Sequence, residues 1–191
     1  MRVLIILFFS FIYTTAQSQL ITNVTWTEES SLPASEIIYY SPERTLVWGN
    51  FLGTPQEGGR AAAVTVSGFG YKAGLKTKNT TGELNISVYC YFSKSKSWVK
   101  PGKTIPYILT HEQHHFDISY IAARVFAQKL KDAGFTTANY NVLLPRIYNE
   151  CCDLMNKLQD DYDAQTKNGQ LKDMQEKWNN FVDEKISVIT K

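Results

Sequence analysis

The segment from Leu84 to Phe92 alternates between apolar residues and residues that are polar or tyrosine along its whole length. Because successive side chains of a strand point to opposite faces of a sheet, this alternation predicts a strand with one face in the core. On this interpretation Cys90 points inward. Weaker strand patterns precede it at residues 35–41, 44–50 and 61–72. Together these segments predict a small, mostly antiparallel sheet in the N-terminal half.

The second half of the chain has helical spacing instead. Pro106 suits the first position of a helix, which we expect to run to about Lys131. A second helix is predicted from Pro145 to Gly169 and a third from Leu171, each with apolar residues three and four positions apart. The predicted fold class is therefore α+β, with the sheet packed on three helices of the C-terminal half.

The N-terminus has the features of a secretory signal peptide. One basic residue precedes a short apolar run, and Thr14 and Ala16 have the spacing that a signal peptidase accepts. The run is shorter than the roughly 20 apolar residues of a membrane-spanning helix. We therefore predict a signal peptide over residues 1–16, cleaved near Ala16, and a secreted or periplasmic protein without a membrane span. The rest divides into an extension over 17–34 and a single domain over 35–191.

The charge balance excludes some classes of partner. The chain has 20 Lys and Arg residues against 18 Asp and Glu residues. Such a balance creates no field that would hold nucleic acid or an anionic membrane surface. We expect no nucleic-acid partner.

The cysteines leave several arrangements open. The chain has three, Cys90, Cys151 and Cys152. In an exported protein this odd count allows at most one internal disulfide, between Cys90 and either Cys151 or Cys152. The alternative is that all three are thiols, and the sequence does not decide between these arrangements.

All three histidines of the chain lie between His111 and His115, within the sequence His-Glu-Gln-His-His. This segment matches the H-E-x-x-H pattern and falls inside the first predicted helix. Residues four apart lie one turn apart on the same helix face, so His111 and His115 can reach one zinc ion. Glu112 then lies beside the metal and can take a proton from the attacking water. His114 is predicted to be a neighbouring or surface residue. The competing interpretation is an ordinary helix with surface histidines.

A catalytic zinc site takes three protein ligands and leaves one position open. Because the histidines number only three and His114 is set aside, the third ligand must be Asp, Glu, Tyr or Cys. Asp117 lies about 240° around the helix from His111 and should face away from the metal. Near the end of the second helix, Tyr162 continues the apolar stripe and Asp163 flanks its buried side. Asp163 is therefore the predicted third ligand. The weaker candidates are Glu150 and Asp153.

The metal-binding motif is also where a family resemblance lies. HEQHHFDI (residues 111–118), followed by Ala122-Ala123-Arg124, resembles a bacterial family of secreted domains of unknown function that are described as zinc-dependent proteases. The signature of that family is close to HEQ-x-HFDI-x-E-x-x-AR. Weaker similarities follow the same order, LVWGNFLG (46–53), KSWV (96–99) and YDAQTKNG (162–169). The resemblance covers about residues 36–185 and implies the family's fold and a zinc site.

Two positions depart from the family pattern. Tyr120 stands where the family has Glu, and Asn168 stands where it tends to have His. If that histidine is the family's third zinc ligand, Asn168 is a poor replacement. The site would then use Asp163, bind zinc weakly, or have lost catalysis.

The sequence thus predicts a secreted zinc-dependent hydrolase, a peptidase with Glu112 as general base and a peptide or cell-envelope protein as substrate. Tyr120 or Tyr162 could donate to the oxyanion. The alternative is a non-catalytic exported binding module of the same fold, which the departures at Tyr120 and Asn168 motivate.

Overall fold

The computed structural model describes residues 18–56, 58–59, 61–78 and 81–189. The predicted signal peptide lies outside this part of the chain. The strands are β1 (Leu20–Trp26), β2 (Ile37–Tyr39), β3 (Ala63–Val64), β4 (Ser67–Lys78), β5 (Thr81–Ser93) and β6 (Trp98–Val99). The helices are α1 (Pro106–Asp132), α2 (Tyr140–Thr166) and α3 (Lys172–Ile189). The α+β class with three helices is confirmed. No helix within the described ranges is long and apolar enough to cross a membrane.

The long strand β5 organises the main sheet. Along one edge it pairs antiparallel with β4, from Ser67 opposite Phe92 to Lys78 opposite Thr81. Along the other edge, β1 pairs parallel with the first part of β5 and β2 pairs antiparallel with the last part. The sheet is therefore mixed, and β3 and β6 form a separate two-stranded sheet.

Three details of the predicted sheet differ from the structure. Part of the predicted extension over 17–34 forms β1, which lies in the sheet. Residues 44–50 do not form a strand, because the backbone amides of Leu46 and Val47 donate to the side chains of Gln113 and Asn50 instead of to a neighbouring strand. The predicted strand over 61–72 is divided between β3 and β4, which belong to different sheets.

The second helix begins earlier than predicted. It starts at Tyr140, so Pro145 lies inside it, in the second turn. Proline at this position removes one backbone hydrogen bond, and the helix nevertheless continues to Thr166. The helix ends at Thr166, where Lys167 takes a left-handed conformation.

The inner face of the sheet packs against α1. The inward side chains of β5 are fully buried, which confirms the alternation that predicted this strand: Leu84, Ile86, Val88, Cys90 and Phe92. Helix α1 also contacts α2 and α3, so it is enclosed by the sheet on one side and by helices on the other. This position buries even its polar residues. The three cysteines are thiols, of which Cys90 and Cys151 are buried.

Candidate metal centre

Three donor atoms from two helices converge beside α1. Nε2 of His111 and Nε2 of His115 lie 3.2 Å apart, and Oδ1 of Asp163 lies 3.1 Å from the first and 3.2 Å from the second. A tetrahedral zinc ion with bonds of about 2.0–2.1 Å separates its ligand atoms by about 3.3–3.4 Å. The His-His-Asp group can therefore hold a metal ion with little adjustment. These are the three residues that the sequence analysis selected as ligands.

The other nitrogen of each imidazole contacts a glutamine. Nδ1 of His111 lies 2.8 Å from Oε1 of Gln175 on α3, and Nδ1 of His115 bonds Oε1 of Gln159 on α2. The amide nitrogen of Gln159 donates to the His115 carbonyl and that of Gln175 donates to the Tyr162 hydroxyl. These bonds orient each amide so that its oxygen faces the histidine. Because an amide oxygen only accepts, each Nδ1 carries a proton, and each Nε2 is the ring nitrogen that faces the centre. The donor atoms are thus oriented as a cation requires.

Electrostatics at the centre couple the carboxylate to the imidazoles. Burial alone would raise the pKa of Asp163, but its hydrogen bonds with His111 and His115 outweigh burial and hold that pKa well below the usual range. Burial alone would lower the pKa of His115, but Asp163 and the nearby Glu112 carboxylate raise it overall. In the metal-free protein this arrangement favours a proton between the imidazoles and the carboxylate. A metal ion would displace that proton.

Glu112 lies next to the donor atoms with one oxygen unpaired. Its side chain is only 3 % exposed, and Oε2 has no hydrogen-bond partner among the residues that the structure describes. Buried carboxylate oxygens normally have a partner, so an oxygen of this kind indicates a position for a water molecule, an ion or a substrate group. Glu112 also lines the cavity that reaches the three donor atoms.

The cavity has a volume of about 840 Å³. Residues 61–65, which include β3, line the cavity, and Thr65 donates to the backbone carbonyl of Glu112 at 3.1 Å. The turn after α2, residues 167–170, lines it as well. The volume is in the range of small-ligand pockets and accommodates a few residues of an extended peptide.

The turn after α2 has unusual backbone geometry. Lys167 and Asn168 both have φ of 52°, and Gly169 follows with φ of 74°. Gly169 lies against His111, where an added Cβ would be 3.3 Å from Nδ1. Tyr107 of α1 donates to the carbonyl of Gly169 at 2.7 Å and holds the turn in place. The turn therefore supports the ring of His111 as well as lining the cavity.

Neither tyrosine that was considered as an oxyanion donor lines the cavity. Tyr162 stacks on His111 with ring centroids 4.5 Å apart, and its hydroxyl bonds the His111 carbonyl and Gln175. Burial raises its pKa, so it remains protonated. Tyr120 stacks on Tyr40 in the core between α1 and the sheet, with centroids 4.0 Å apart. Both tyrosines therefore hold α1 in place by packing, Tyr162 from α2 and Tyr120 from α1 itself.

Asp117 faces away from the donor atoms, as its angular position predicted. Its carboxylate lies 2.9 Å from Nδ1 of His114 and accepts hydrogen bonds from Tyr40 and Gln113. His114 is buried in this network and is therefore not a surface residue. It neighbours the site only in the sense that it lies next to His115 along the helix. Gln113 in turn accepts from the backbone amide of Leu46, which links α1 to the segment before β3.

The weaker ligand candidates lie elsewhere. Glu150 pairs with Lys129 and Arg146, and Asp153 is exposed. Sequence reasoning missed Gln159 and Gln175. Gln159 precedes Asp163 by four residues and so shares its helix face, and Gln175 lies within the apolar stripe of α3, where a polar residue is unexpected. Both positions were signals that could have been used.

Comparisons of the chain with protein-family models, with curated proteins and with solved structures found no match. The resemblance to the secreted bacterial family therefore stays a prediction. The geometry of the site carries the functional argument.

Proposed function

We propose that the protein is a secreted or periplasmic zinc-dependent hydrolase that acts on peptides, with α1 as a zincin-like metal helix. The observation that carries the proposal is the convergence of His111, His115 and Asp163 within 3.2 Å, next to the unpaired Oε2 of Glu112. A structural metal site would be closed on all sides, whereas this group borders a cavity.

The donor set favours zinc over other common cations. Mg²⁺ and Ca²⁺ prefer oxygen ligands, while two imidazoles with one carboxylate suit zinc with one position open. When bound, zinc would polarise a substrate carbonyl and make a neighbouring water more acidic. The two glutamines hold the imidazoles in the tautomer that this role needs.

Glu112 is the proposed general base. Its Oε2 accepts the proton of the attacking water and returns it to the leaving nitrogen of the peptide bond. Its burial holds the carboxylate in place, and its backbone is fixed by the helix and by Thr65.

The wall formed by residues 61–65 supports a peptide as substrate. β3 pairs with β6, and residues 61–65 line the cavity. An extended peptide can add to a strand edge of this kind through backbone hydrogen bonds, which places its amide groups along the site without regard to sequence.

The alternative of a non-catalytic module is motivated by Tyr120 and Asn168. Tyr120 lies in the core, and Asp163 supplies the third donor atom, so neither departure removes a residue from the His-His-Asp group. The geometry therefore favours the enzyme.

Metal analysis tests the first part of the proposal. Purified protein in zinc-containing buffer is expected to hold about one zinc ion per chain, and His111→Ala and Asp163→Asn are expected to lose it. Asp161→Asn is the matched control, since Asp161 lies on the same helix but pairs with Lys157. Zinc retained in Asp163→Asn would remove Asp163 from the site.

Turnover tests the second part. On a mixture of quenched fluorescent peptides, Glu112→Gln is expected to keep its zinc and to lose about 10²–10⁴-fold in kcat/KM. Undiminished hydrolysis in this variant would exclude Glu112 as the base. A zinc-loaded wild-type protein that cleaves no peptide would favour the binding module.

The proposed location is tested separately. The N-terminal residue of the exported protein is expected to be near Gln17. A chain that keeps residues 1–16 would contradict cleavage.

A further inference from the structure

The cavity has a marked excess of positive charge away from the metal centre. Apart from the three donor residues and Glu112, the charged residues that line the cavity within the described part of the chain are all lysines: Lys100, Lys103 and Lys167. The whole chain is nearly balanced, with a formal net charge of +2. The excess is therefore a property of this cavity and not of the protein surface in general.

Two of these lysines are available to a ligand. Lys100 donates to the backbone carbonyl of Gly59, so its ammonium group is occupied. Lys103 and Lys167 are exposed and form no ion pair with any residue that the structure describes. Among the lysines that the structure describes, two have an acidic partner, in the pairs Lys129–Glu150 and Lys157–Asp161.

The backbone at Lys167 adds an independent observation. This residue caps α2 with φ of 52°, a position that glycine usually takes. A left-handed conformation costs a residue with a Cβ roughly 1–2 kcal/mol, and Asn168 has the same conformation. Glycine appears only at the third position of the turn. Lys167 therefore brings a charged side chain to the edge of the cavity at a backbone position where glycine is the more usual residue.

From these observations we infer that Lys103 and Lys167 form a subsite for a carboxylate of the substrate. The inference rests on the proposed function and deepens it, because it assigns a class of peptide: one with an acidic side chain, or with a free C-terminal carboxylate, near the cleaved bond. A concave site focuses the field of its charges, so two ammonium groups at its edge attract an anionic ligand more strongly than they would on open surface.

Binding to zinc-loaded Glu112→Gln, which holds the peptide without cleaving it, tests the subsite. Two acetylated and amidated peptides that differ only by Glu in place of Gln are compared by fluorescence anisotropy. We expect the Glu peptide to bind at least about fivefold more tightly at low salt, and the difference to shrink as salt is added. A third peptide, with Gln and a free C-terminus, distinguishes the two sources of the carboxylate.

Charge reversal assigns the effect to the two lysines. Combined with Glu112→Gln, the Lys103→Glu/Lys167→Glu change is expected to abolish the preference for a carboxylate. Lys72→Glu/Lys76→Glu is the matched control, because both are exposed residues of β4 that do not line the cavity and their reversal changes the net charge equally. Equal loss in the control would mean that only net charge matters and would overturn the subsite.

Lys167→Gly separates charge from folding. It removes the ammonium group and relaxes the turn, so we expect an unchanged or higher melting temperature together with weaker binding of the carboxylate peptide. Equal affinity for the Glu and Gln peptides in Glu112→Gln would overturn the inference, even if the wild-type enzyme cleaves both. A clear carboxylate preference without any cleavage by the wild-type protein would instead overturn the proposed function and leave the subsite in place.

Discussion

In the candidate metal centre, Nδ1 of His111 lies 2.8 Å from Oε1 of Gln175, which ties the first histidine of α1 to helix α3. Gln175 is almost fully buried, and its amide nitrogen donates to Tyr162 and Asn179. Its oxygen therefore has one orientation. The ring of His111 is held in one tautomer by a residue that does not reach the metal itself.

Gln175→Leu is accordingly expected to weaken zinc binding by about 10–100-fold, the usual effect of losing a residue that orients a histidine ligand. Gln175→Glu keeps an acceptor oxygen at the same place and should retain most of the affinity. Competition with a zinc-binding dye measures both. Equal affinity in the Leu variant and the wild type would show that Gln175 has no part in orienting His111.

Removal of the metal should lower stability. A ligand that binds only the folded state at 100 times its Kd contributes about 2.7 kcal/mol. For a domain of this size that corresponds to a fall in Tm of roughly 5–11 °C after chelation. Calorimetry with and without chelator measures it, and Asp163→Asn should show no such difference.

The metal-free protein should have a distinctive pH dependence. The pKa of Asp163 is lowered, so its stabilising contribution is present above the unfolded value of about 4 and is lost as the pH falls through the folded value. The pKa of His115 is raised, so its contribution is present below about 6.5 and is lost as the pH rises through the folded value. Both contributions are complete only between about pH 4 and 6.5.

Urea unfolding of the chelated protein from below about pH 4 to above about pH 6.5, with Asp163→Asn as reference, measures the effect. The wild type should gain stability relative to the variant inside the window and lose that gain on either side. A difference that is constant with pH would contradict the coupling between Asp163 and His115.

Gly169→Ala should disturb the metal centre. The residue has φ of 74°, and a Cβ there would lie 3.3 Å from Nδ1 and 3.4 Å from Cγ of His111. Gly134→Ala is the matched control, because Gly134 also has positive φ but has no atom within 4 Å of an added Cβ. Both variants should lose roughly 1–2 kcal/mol of stability. Only Gly169→Ala should bind zinc more weakly.

Tyr40→Phe should weaken the fold without affecting the metal. Its hydroxyl donates to Asp117 at 3.0 Å within the buried network on the other face of α1. Loss of a donor to a buried carboxylate costs about 1–3 kcal/mol. Tyr39→Phe, whose hydroxyl donates to the partly buried Ser30, should cost less. Thermal unfolding and zinc content measured on the same samples check both statements.

Residue spacing along the chain was enough to predict two parts of this protein. The alternation in β5 placed its apolar side chains on one face of the sheet, and the one-turn separation of His111 and His115 placed both imidazoles on one face of α1. Asp163 was selected because Tyr162 marked the buried side of α2. The structure brings all three proposed ligands together.

The features that were missed depend on contacts between distant segments. β1 has weak alternation, and it is a strand because β5, more than 60 residues later, pairs with it. Gln159 and Gln175 are 44 and 64 residues from the histidines that they contact. Their function depends on how α2 and α3 approach α1, which no local pattern encodes. The predicted start of α2 at Pro145 was too late, because proline usually occupies the first turn of a helix and here lies in the second.

The three donor atoms differ in how firmly they are held. His111 and His115 belong to a helix that is enclosed by the sheet and by two other helices, whereas the side chain of Asp163 is 41 % exposed. Release of an ion would therefore begin at Asp163, whose bond to the ion must break before the carboxylate turns to solvent, while the amide hydrogens of α1 stay protected from solvent exchange. The lifetime of the bound ion would then depend on this exposed ligand and not on the unfolding of the helix that carries the histidines.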